Sequence, residues 1–364
     1  MNVGKSGIIP FAGLRGLAVA PVSSCNGFNT SIHRIYALRR LGVDVQYLDT
    51  SQNQLGLTWN YYRLRHWLFR KGMKVRLPDS MNDNERLLTA AMSGRWDILW
   101  VDKGLTIMAD TLALFRQYQP ECTIIGFSPD DMAGRHNQSQ QFLEHLQWYD
   151  VFFTTKSYNV TELLDLGCRR VVFTGNGYDP SAFRPISTTA NEIAQHGGDV
   201  GFIGTYEHER AEAMRFLAES GIPLRVWGDG WKPMQYPPSR MKIEYRSLYS
   251  DDYARACSSF KINLCFLRKI NRDLQTTRSV EIPACGGFML AERTPEHLEL
   301  FKEGEEAEFF DGNEELLDKC RYYLEHETLR LRIAQNGLRR CIESGYSNDK
   351  RMERMLSIAL NGRL

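Results

Sequence analysis

The sequence lacks the features that mark membrane-spanning, nucleic-acid-binding and disulfide-linked proteins. It contains no run of about 20 apolar residues, which argues against a membrane-spanning helix. The net charge of +1 over 364 residues gives no excess of positive charge for binding nucleic acid. None of the eight cysteines forms a C-x-x-C pair, and their scattered spacing argues against a zinc site or a disulfide framework. We therefore expect a globular protein with reduced cysteines.

The N-terminal region does not fit an export signal. Ala18-Val19-Ala20 has the small-residue pattern of a signal-peptidase site, but Arg15 interrupts the apolar stretch before it. Pro21 follows directly at the point where cleavage would fall. We expect the protein to be cytoplasmic.

Short apolar runs alternate with amphipathic helical stretches along most of the chain. In the first half the apolar runs are Leu17–Ala20, Val43–Leu48, Ile98–Val101, Thr123–Phe127 and Val151–Thr154. Continuous apolar runs of this kind are typical of parallel strands that are covered on both faces by helices. Thr30 or Ser31 is predicted to cap the first helix. The pattern predicts a doubly wound parallel sheet.

The alternation weakens at residues 187–198 and then restarts, which predicts a linker between two domains. The predicted organisation is a Rossmann-like domain over 1–186, a linker over 187–198, a second Rossmann-like domain over 199–345 and a C-terminal helix over 346–364. In the second domain Asn313 is predicted to cap a helix. We predict an α/β fold in which two doubly wound domains face a cleft.

The first candidate site is the loop Gly204–Arg210, which follows an apolar strand and opens a helix. Its exposed N–H groups suit a phosphate, and Arg210 can add a charged fork. The alternative is an ordinary strand-to-helix turn with a solvated arginine.

The second candidate site is the segment Asn271–Gly287, a polar loop with Arg272 and Arg278 that leads into a helix near Thr276 or Thr277. Glu281 lies about one turn inside this helix, where its carboxylate could accept two hydrogen bonds from a ribose diol. The alternative is that Glu281 only pairs with Arg278, three residues earlier.

Two further patterns are ambiguous. The adjacent acids Asp130 and Asp131 follow a strand and indicate hydroxyl binding, base catalysis or an Asp-capped turn. They could also hold a metal, but two acids without further ligands are a poor metal signal. His33 is a weaker candidate for a base. The stretch Tyr61–Arg76 predicts a basic amphipathic helix, which could meet a membrane or a lipid-linked acceptor. We favour a solvated basic face for that helix.

The segment Asn176–Asp179, reading NGYD, is followed by Phe183–Pro185, reading FRP. These residues resemble the N-G-V-D-x-x-x-F-x-P signature of family 4 glycosyltransferases, which have the GT-B fold. Asp273 and Glu281 resemble the E-x7-E element of that family, with aspartate in the first position. The chain is more closely similar to the spore-maturation-type glycosyltransferases of bacteria. That likeness runs from Arg278 through the Ala-Cys-Gly-Gly of 284–287 and the Tyr-Tyr-Leu of 322–324 to Arg351.

The resemblance implies a hexosyltransferase that uses a nucleotide-diphosphate sugar, expected to be a UDP-sugar, with no obligatory metal and no other cofactor. It implies that the donor is bound by Gly204, Thr205, Arg210, Trp227, Gly228, Asp273, Thr277, Arg278 and Glu281. Within this set Glu281 would bind the ribose and Trp227-Gly228 would lie near the nucleobase. The first domain would bind the acceptor near Gly27, Lys103 and Asp130. The acceptor could be a glycan, a lipid-linked molecule, a protein or a small molecule.

The resemblance also implies how the reaction would run. Arg278 would stabilise the departing diphosphate, and Asp130 or Asp131 would serve as the base if the reaction inverts the sugar configuration. Aspartate in place of glutamate at Asp273 leaves retention of configuration an open alternative. Two further functions remain open, namely a nucleotide-sugar epimerase of the same architecture and a non-catalytic partner that binds a sugar nucleotide.

Overall fold

A computed structural model describes residues 10–23, 29–51 and 56–361. The chain divides into two units, one formed by Met1–Gly175 with Asn348–Leu364 and the other by Asn176–Ser347. Each unit contains a six-stranded sheet in which every pairing is parallel. The predicted α/β class, with two doubly wound sheets, is confirmed.

The first unit is built on a sheet with the strand order β2-β1-β3-β4-β5-β6. Its strands are β1 (Arg15–Ala20), β2 (Asp44–Asp49), β3 (Ile98–Asp102), β4 (Thr123–Ser128), β5 (Val151–Thr154) and β6 (Val171–Phe173). Every residue of the central strands β3, β4 and β5 is buried, as their continuous apolar runs predict.

Seven helices accompany this sheet in the described part of the first unit. They are α1 (Thr30–Arg40), α2 (Gly56–Arg70), α3 (Asp83–Ser93), α4 (Ala109–Tyr118), α5 (Gln140–His145), α6 (Asn159–Asp165) and the C-terminal helix α14 (Asn348–Leu360). The C-terminal helix packs on α1 and places Met352, Met355 and Leu356 in the core of this unit.

The second unit is built on a sheet with the strand order β12-β11-β10-β7-β8-β9. Its strands are β7 (Gly198–Ile203), β8 (Leu224–Trp227), β9 (Met241–Ile243), β10 (Phe260–Cys265), β11 (Met289–Glu292) and β12 (Glu308–Phe310). Counted from β7, this is the order 3-2-1-4-5-6 of dinucleotide-binding sheets, in which the order reverses between β7 and β10.

The helices of the second unit lie on both faces of its sheet. They are α7 (Ala190–His196), α8 (His208–Glu219), α9 (Ser250–Ser259), α10 (Arg278–Ala284), α11 (Pro295–Leu300), α12 (Gly312–Glu325) and α13 (Glu327–Glu343). The side chains of α8 and α12 pack into one apolar cluster and those of α9 and α10 into another. No helix in the described ranges is long and apolar enough to cross a membrane.

Three local predictions differ from the structure. The segment 187–198 contains helix α7, which the capping box of Thr189 and Glu192 stabilises, and the division between units falls at 175/176. Asn29, not Thr30 or Ser31, caps α1, because its side chain accepts a hydrogen bond from the N–H of Ser31. Helix α12 begins at Gly312, so Asn313 lies inside it.

Candidate functional site

The loop Gly204–Arg210 lies where the strand order of the second sheet reverses. Gly204 follows β7, and its N–H donates to the carbonyl of Trp227 at the end of β8 (2.8 Å). Gly228 has φ +153°, and a Cβ added there would lie 1.9 Å from the carbonyl oxygen of Gly204. The indole N–H of Trp231 donates to that same oxygen (2.9 Å). The glycines thus let two strand ends approach closely at the point where such sheets bind ligands.

Arg210, on the first turn of α8, is the principal polar residue of this loop. Its side chain is only 3% exposed. Its Nη2 donates to the side-chain oxygen of Thr205 (3.2 Å) and lies 3.4 Å from a carboxylate oxygen of Glu207. The other donors, Nε and Nη1, are buried without a hydrogen-bond partner. Buried donors are rarely left unpaired in folded proteins, so these two atoms can each donate a hydrogen bond to an acceptor from outside the chain.

Arg278 brings a second positive charge to the same loop. Its Nε donates to the carbonyl of Ile203, the last residue of β7 (2.6 Å), and its guanidinium lies 5.9 Å from the ring centre of Phe202. The guanidinium of Arg210 lies 5.2 Å from that ring centre. Burial, with the charge of Arg278 adding to it, lowers the pKa of Arg210 to about 10. Two cations held this close together create a site for an anion.

The first turn of α8 adds backbone donors to these charges. Glu207 occupies the position that precedes the helix, and its side chain does not cap the first-turn N–H groups. The helix is 12 residues long, so its N-terminus carries the partial positive charge of the helix dipole.

Glu281 lies on the first turn of α10 and is 6% exposed. The hydroxyl of Tyr253 donates to its Oε2 (3.2 Å), and the side chain of Thr277 also forms a hydrogen bond to the carboxylate. Burial raises the pKa of Glu281, although Arg278 and these hydrogen bonds act in the opposite direction. Within the described ranges Glu281 and Arg278 form no ion pair within 4.0 Å, so the expected alternative of a simple pair does not describe this carboxylate.

A cavity of about 700 Å³ opens beside Arg210 at the carboxyl ends of β7, β10, β11 and β12. Residues of both charge signs line it, and their sequence patterns gave no indication of a site. Arg268 pairs with Glu207 (2.7 Å), and Lys269 pairs with Glu292. The one sequence signal for these cavity residues is their position after β10 and at the end of β11. Those strand ends meet at one edge of the sheet, where such sheets bind ligands.

Two predicted donor-binding residues lie in surroundings that the sequence did not indicate. Trp227 is 1% exposed, its indole N–H donates to the carbonyl of His196 (3.1 Å), and the guanidinium groups of Arg225 and Arg246 contact its ring. The ring therefore offers no exposed face for stacking, and the placement of Trp227-Gly228 near the nucleobase stays a prediction. Asp273 is buried in the loop that precedes α10.

The first unit places the predicted acceptor-side residues at the carboxyl ends of β3 and β4. Lys103, which has a left-handed backbone (φ +63°), forms an ion pair with Asp130. Asp131 is buried and accepts hydrogen bonds from the side chain of Asn159 (2.9 Å) and the N–H of Ala133 (3.2 Å). The capped turn, which the sequence left as the alternative, describes Asp131. His33 is half-buried on α1, and Gly27 lies outside the described residues.

The arrangement in the second unit fits a particular chemistry. Arg210, Arg278 and the first turn of α8 can neutralise a diphosphate, while Glu281 presents carboxylate oxygens to hydroxyl groups. Stabilisation of a departing diphosphate by fixed charges is an electrostatic form of catalysis.

Residues 210–357 match a family model described as glycosyl transferase-like. A search of curated proteins by sequence finds no match.

Solved structures share the fold over nearly the whole chain. Anabaena HepE, solved with UDP and glucose, aligns with a TM-score of 0.60 and 12% identity over 96% of this chain and 99% of HepE. Sucrose-phosphate synthase from Thermosynechococcus elongatus aligns with a TM-score of 0.62 and 12% identity over 94% of this chain and 98% of the synthase. For α,α-trehalose 6-phosphate synthase from Burkholderia multivorans the TM-score is 0.63, with 10% identity over 97% of this chain and 99% of that protein. These likenesses confirm the predicted GT-B fold class.

Proposed function

We propose that the protein is a glycosyltransferase that uses a UDP-sugar as donor and a hydroxyl group as acceptor. The observation that carries this proposal is the pair of buried, unpartnered donor atoms on Arg210, beside Arg278 and at the reversal point of the second sheet. The glycosyl transferase-like match, which begins at Arg210, supports a transferase. The choice of uridine is supported by the UDP and UDP-glucose complexes of HepE.

The proposed donor site lies in the second unit. The diphosphate would accept hydrogen bonds from Nε and Nη1 of Arg210, from Arg278 and from the backbone N–H of Thr205. Glu281 would accept hydrogen bonds from the two ribose hydroxyls. These assignments rest on two kinds of group, namely donors that have no partner in the structure and side chains that can exchange their present partner for the ligand.

In the proposed reaction the bond between the sugar C1 and the β-phosphate oxygen breaks, and a bond forms between C1 and the acceptor oxygen. The two arginines stabilise the negative charge that develops on the departing UDP. The acceptor hydroxyl loses its proton to Asp130 if the configuration inverts, and to the departing phosphate if it is retained. Asp131 is not proposed as the base, because its carboxylate is buried and accepts hydrogen bonds from Asn159 and the backbone.

We further propose that the enzyme belongs with the spore-maturation-type or family 4 glycosyltransferases, works in the cytoplasm and needs no metal. The two arginines already supply the positive charge that a metal ion would otherwise bring to the diphosphate.

A ligand screen followed by a turnover assay tests the proposal. We expect UDP and UDP-sugars to raise the melting temperature of the protein more than ADP, GDP or TDP and their sugars do, with and without EDTA. The best UDP-sugar should then release UDP in the presence of a hydroxyl acceptor pool, with a glycosylated product detected by mass spectrometry.

Three results would change the proposal. If a nucleotide other than UDP stabilises the protein most, the donor carries that nucleobase and not uracil. Interconversion of the UDP-sugar into its epimer without an acceptor would favour the epimerase reading. No stabilisation by any of these nucleotides would overturn the proposed donor site.

A further inference from the structure

Helix α2 of the first unit carries a row of exposed apolar side chains. Leu57 is 87% exposed, Tyr61 50%, Leu64 52% and Trp67 52%. Their spacings of four, three and three residues place them along one side of a helix. A single exposed apolar residue is ordinary on a protein surface, but four in one row form a continuous apolar surface.

The opposite side of the same helix is anchored to the first unit. Phe69 is fully buried, and its carbonyl accepts a hydrogen bond from Nη2 of Arg135 (2.6 Å). His66 Nε2 lies 3.2 Å from the carbonyl oxygen of Gln138. Helix α2 therefore already uses one face for packing, and the exposed row lies on the side that faces away from this anchor.

The charge around the row is of one sign. Residues 50–78 contain six lysines and arginines and neither aspartate nor glutamate, although the whole chain has a net charge of only +1. Arg76 alone among these six cations forms an ion pair within 4.0 Å in the described structure, with Glu144, and Arg65 donates to the carbonyl of Arg76 (2.7 Å). The other four, which have neither kind of partner there, are Arg63, Arg70, Lys71 and Lys74. Unneutralised cations beside exposed tyrosine, tryptophan and leucine are complementary to a surface with an apolar interior and negatively charged headgroups.

We propose that α2 docks the first unit on an anionic lipid bilayer. The row of Leu57, Tyr61, Leu64 and Trp67 enters the headgroup region, and the four unpaired cations contact lipid phosphates. Tryptophan and tyrosine favour this interfacial depth because their rings are amphipathic. Docking of this kind would bring the enzyme to acceptors that are held at a membrane.

Co-flotation with vesicles tests the proposal on the full-length protein. At low salt the protein should float with vesicles of phosphatidylcholine and phosphatidylglycerol, and much less with phosphatidylcholine alone. Added salt should weaken the binding, because it screens the cations. Replacing the apolar row in Leu64→Glu/Trp67→Glu should lower the partition coefficient at least about tenfold. The variant Arg63→Ser/Arg70→Ser/Lys71→Ser/Lys74→Ser should lower it by a similar factor.

A matched control uses the second unit. Tyr236 is 88% exposed and Arg240 is also exposed, so Tyr236→Glu/Arg240→Ser makes the same kind of change elsewhere and should leave vesicle binding unchanged. All variants should keep the wild-type melting temperature and UDP binding. Because vesicle binding is read without turnover, its failure is distinct from failure of the proposed reaction.

Three outcomes would overturn the proposal. The wild type could fail to float with anionic vesicles, or the α2 variants could float as well as the wild type does. Alternatively, sedimentation could show a dimer that Leu64→Glu/Trp67→Glu converts to a monomer, in which case a second copy of the chain covers the row.

Discussion

The two units carry similar sheets but treat charge differently at the points where their strand orders reverse. In the first unit the buried Arg34 pairs with the buried Asp102, and Lys103 pairs with Asp130. In the second unit Nη2 of Arg210 lies 3.4 Å from a carboxylate oxygen of Glu207, but its other two donors are buried without partners, and Arg278 has no ion pair in the described structure. Ion pairs neutralise both cations of the first site, whereas in the second site Arg278 has no carboxylate partner and Arg210 has two donors without acceptors. Similar architecture therefore does not imply similar readiness to bind a ligand.

The largest expected contrast comes from replacing the buried arginine of each unit. Arg34→Met should destabilise the protein by about 3–5 kcal/mol, because it leaves the Asp102 carboxylate buried without its partner. Arg210→Met should leave the ligand-free protein about as stable as the wild type or more so, because the loss of the Nη2 contacts with Thr205 and Glu207 is offset by removal of a buried charge with two unsatisfied donors. Urea denaturation of both variants measures this difference. Equal destabilisation would break the contrast between the units.

A second prediction concerns the rigidity of the loop in the second unit. Gly228→Ala should lower the free energy of unfolding by about 3 kcal/mol or more, since the new Cβ would collide with the backbone oxygen of Gly204. Gly221→Ala is a matched control, because that glycine has φ +95° with nothing within 4 Å of the added Cβ. Gly221→Ala should lower the free energy of unfolding by only about 1 kcal/mol, because only the strain of the left-handed backbone conformation is added. If the two variants are equally stable, the close approach of the strand ends is not required.

Each unit also contains one buried histidine, and here the units should behave alike. Burial lowers the pKa of His145 in the first unit and of His297 in the second to about 4. Their unfolded pKa is about 6.5, so the unfolded state binds more protons between pH 6.5 and 4 and stability falls as the pH falls through that range.

Replacing one of these histidines isolates its contribution. His297→Gln and His145→Gln should each remove about 2 kcal/mol of the stability lost between pH 7 and pH 5. Denaturation at the two pH values measures this loss. An unchanged pH dependence in both variants would show that other groups titrate. Asp83 acts in the opposite direction, because burial raises its pKa to about 6 and stability from this group rises on acidification.

The smallest predicted effect tests the ribose contact. Wild-type protein should bind UDP about tenfold more tightly than 2′-deoxy-UDP, because the buried carboxylate of Glu281 would lose one hydrogen bond. Glu281→Gln should bind UDP more weakly and lose most of this preference. Calorimetry with both nucleotides measures it. A preference that survives the substitution would assign the ribose contact to another residue.

The sequence predicted those features that depend on neighbouring residues. The apolar strand before Gly204 and the helix after Glu207 placed Arg210 correctly at the edge of a parallel sheet. The sequence did not predict that the ring of Trp227 is buried, because the guanidinium of Arg246, which contacts that ring, comes from another segment of the chain. Likewise Asn159, 28 residues further along the chain, decides that Asp131 is structural.

Local competition explains the errors at helix ends. Asn29 lies one residue before Thr30 and caps α1, because asparagine is at least as favourable an N-cap residue as serine or threonine. The helix within 187–198 was recognisable from Thr189 and Glu192, whose spacing is that of a capping box. None of its side chains is buried, so it lacks the apolar face by which the other helices are predicted from the sequence.

The most direct test of the anion site is titration of UDP into three proteins by calorimetry. Arg210→Met should weaken binding by at least about tenfold, the loss expected for charge-assisted hydrogen bonds. Arg215→Met changes an exposed arginine on the same helix and should bind UDP like the wild type. Unchanged affinity in Arg210→Met would contradict the claim that the unpartnered donors of Arg210 bind the diphosphate.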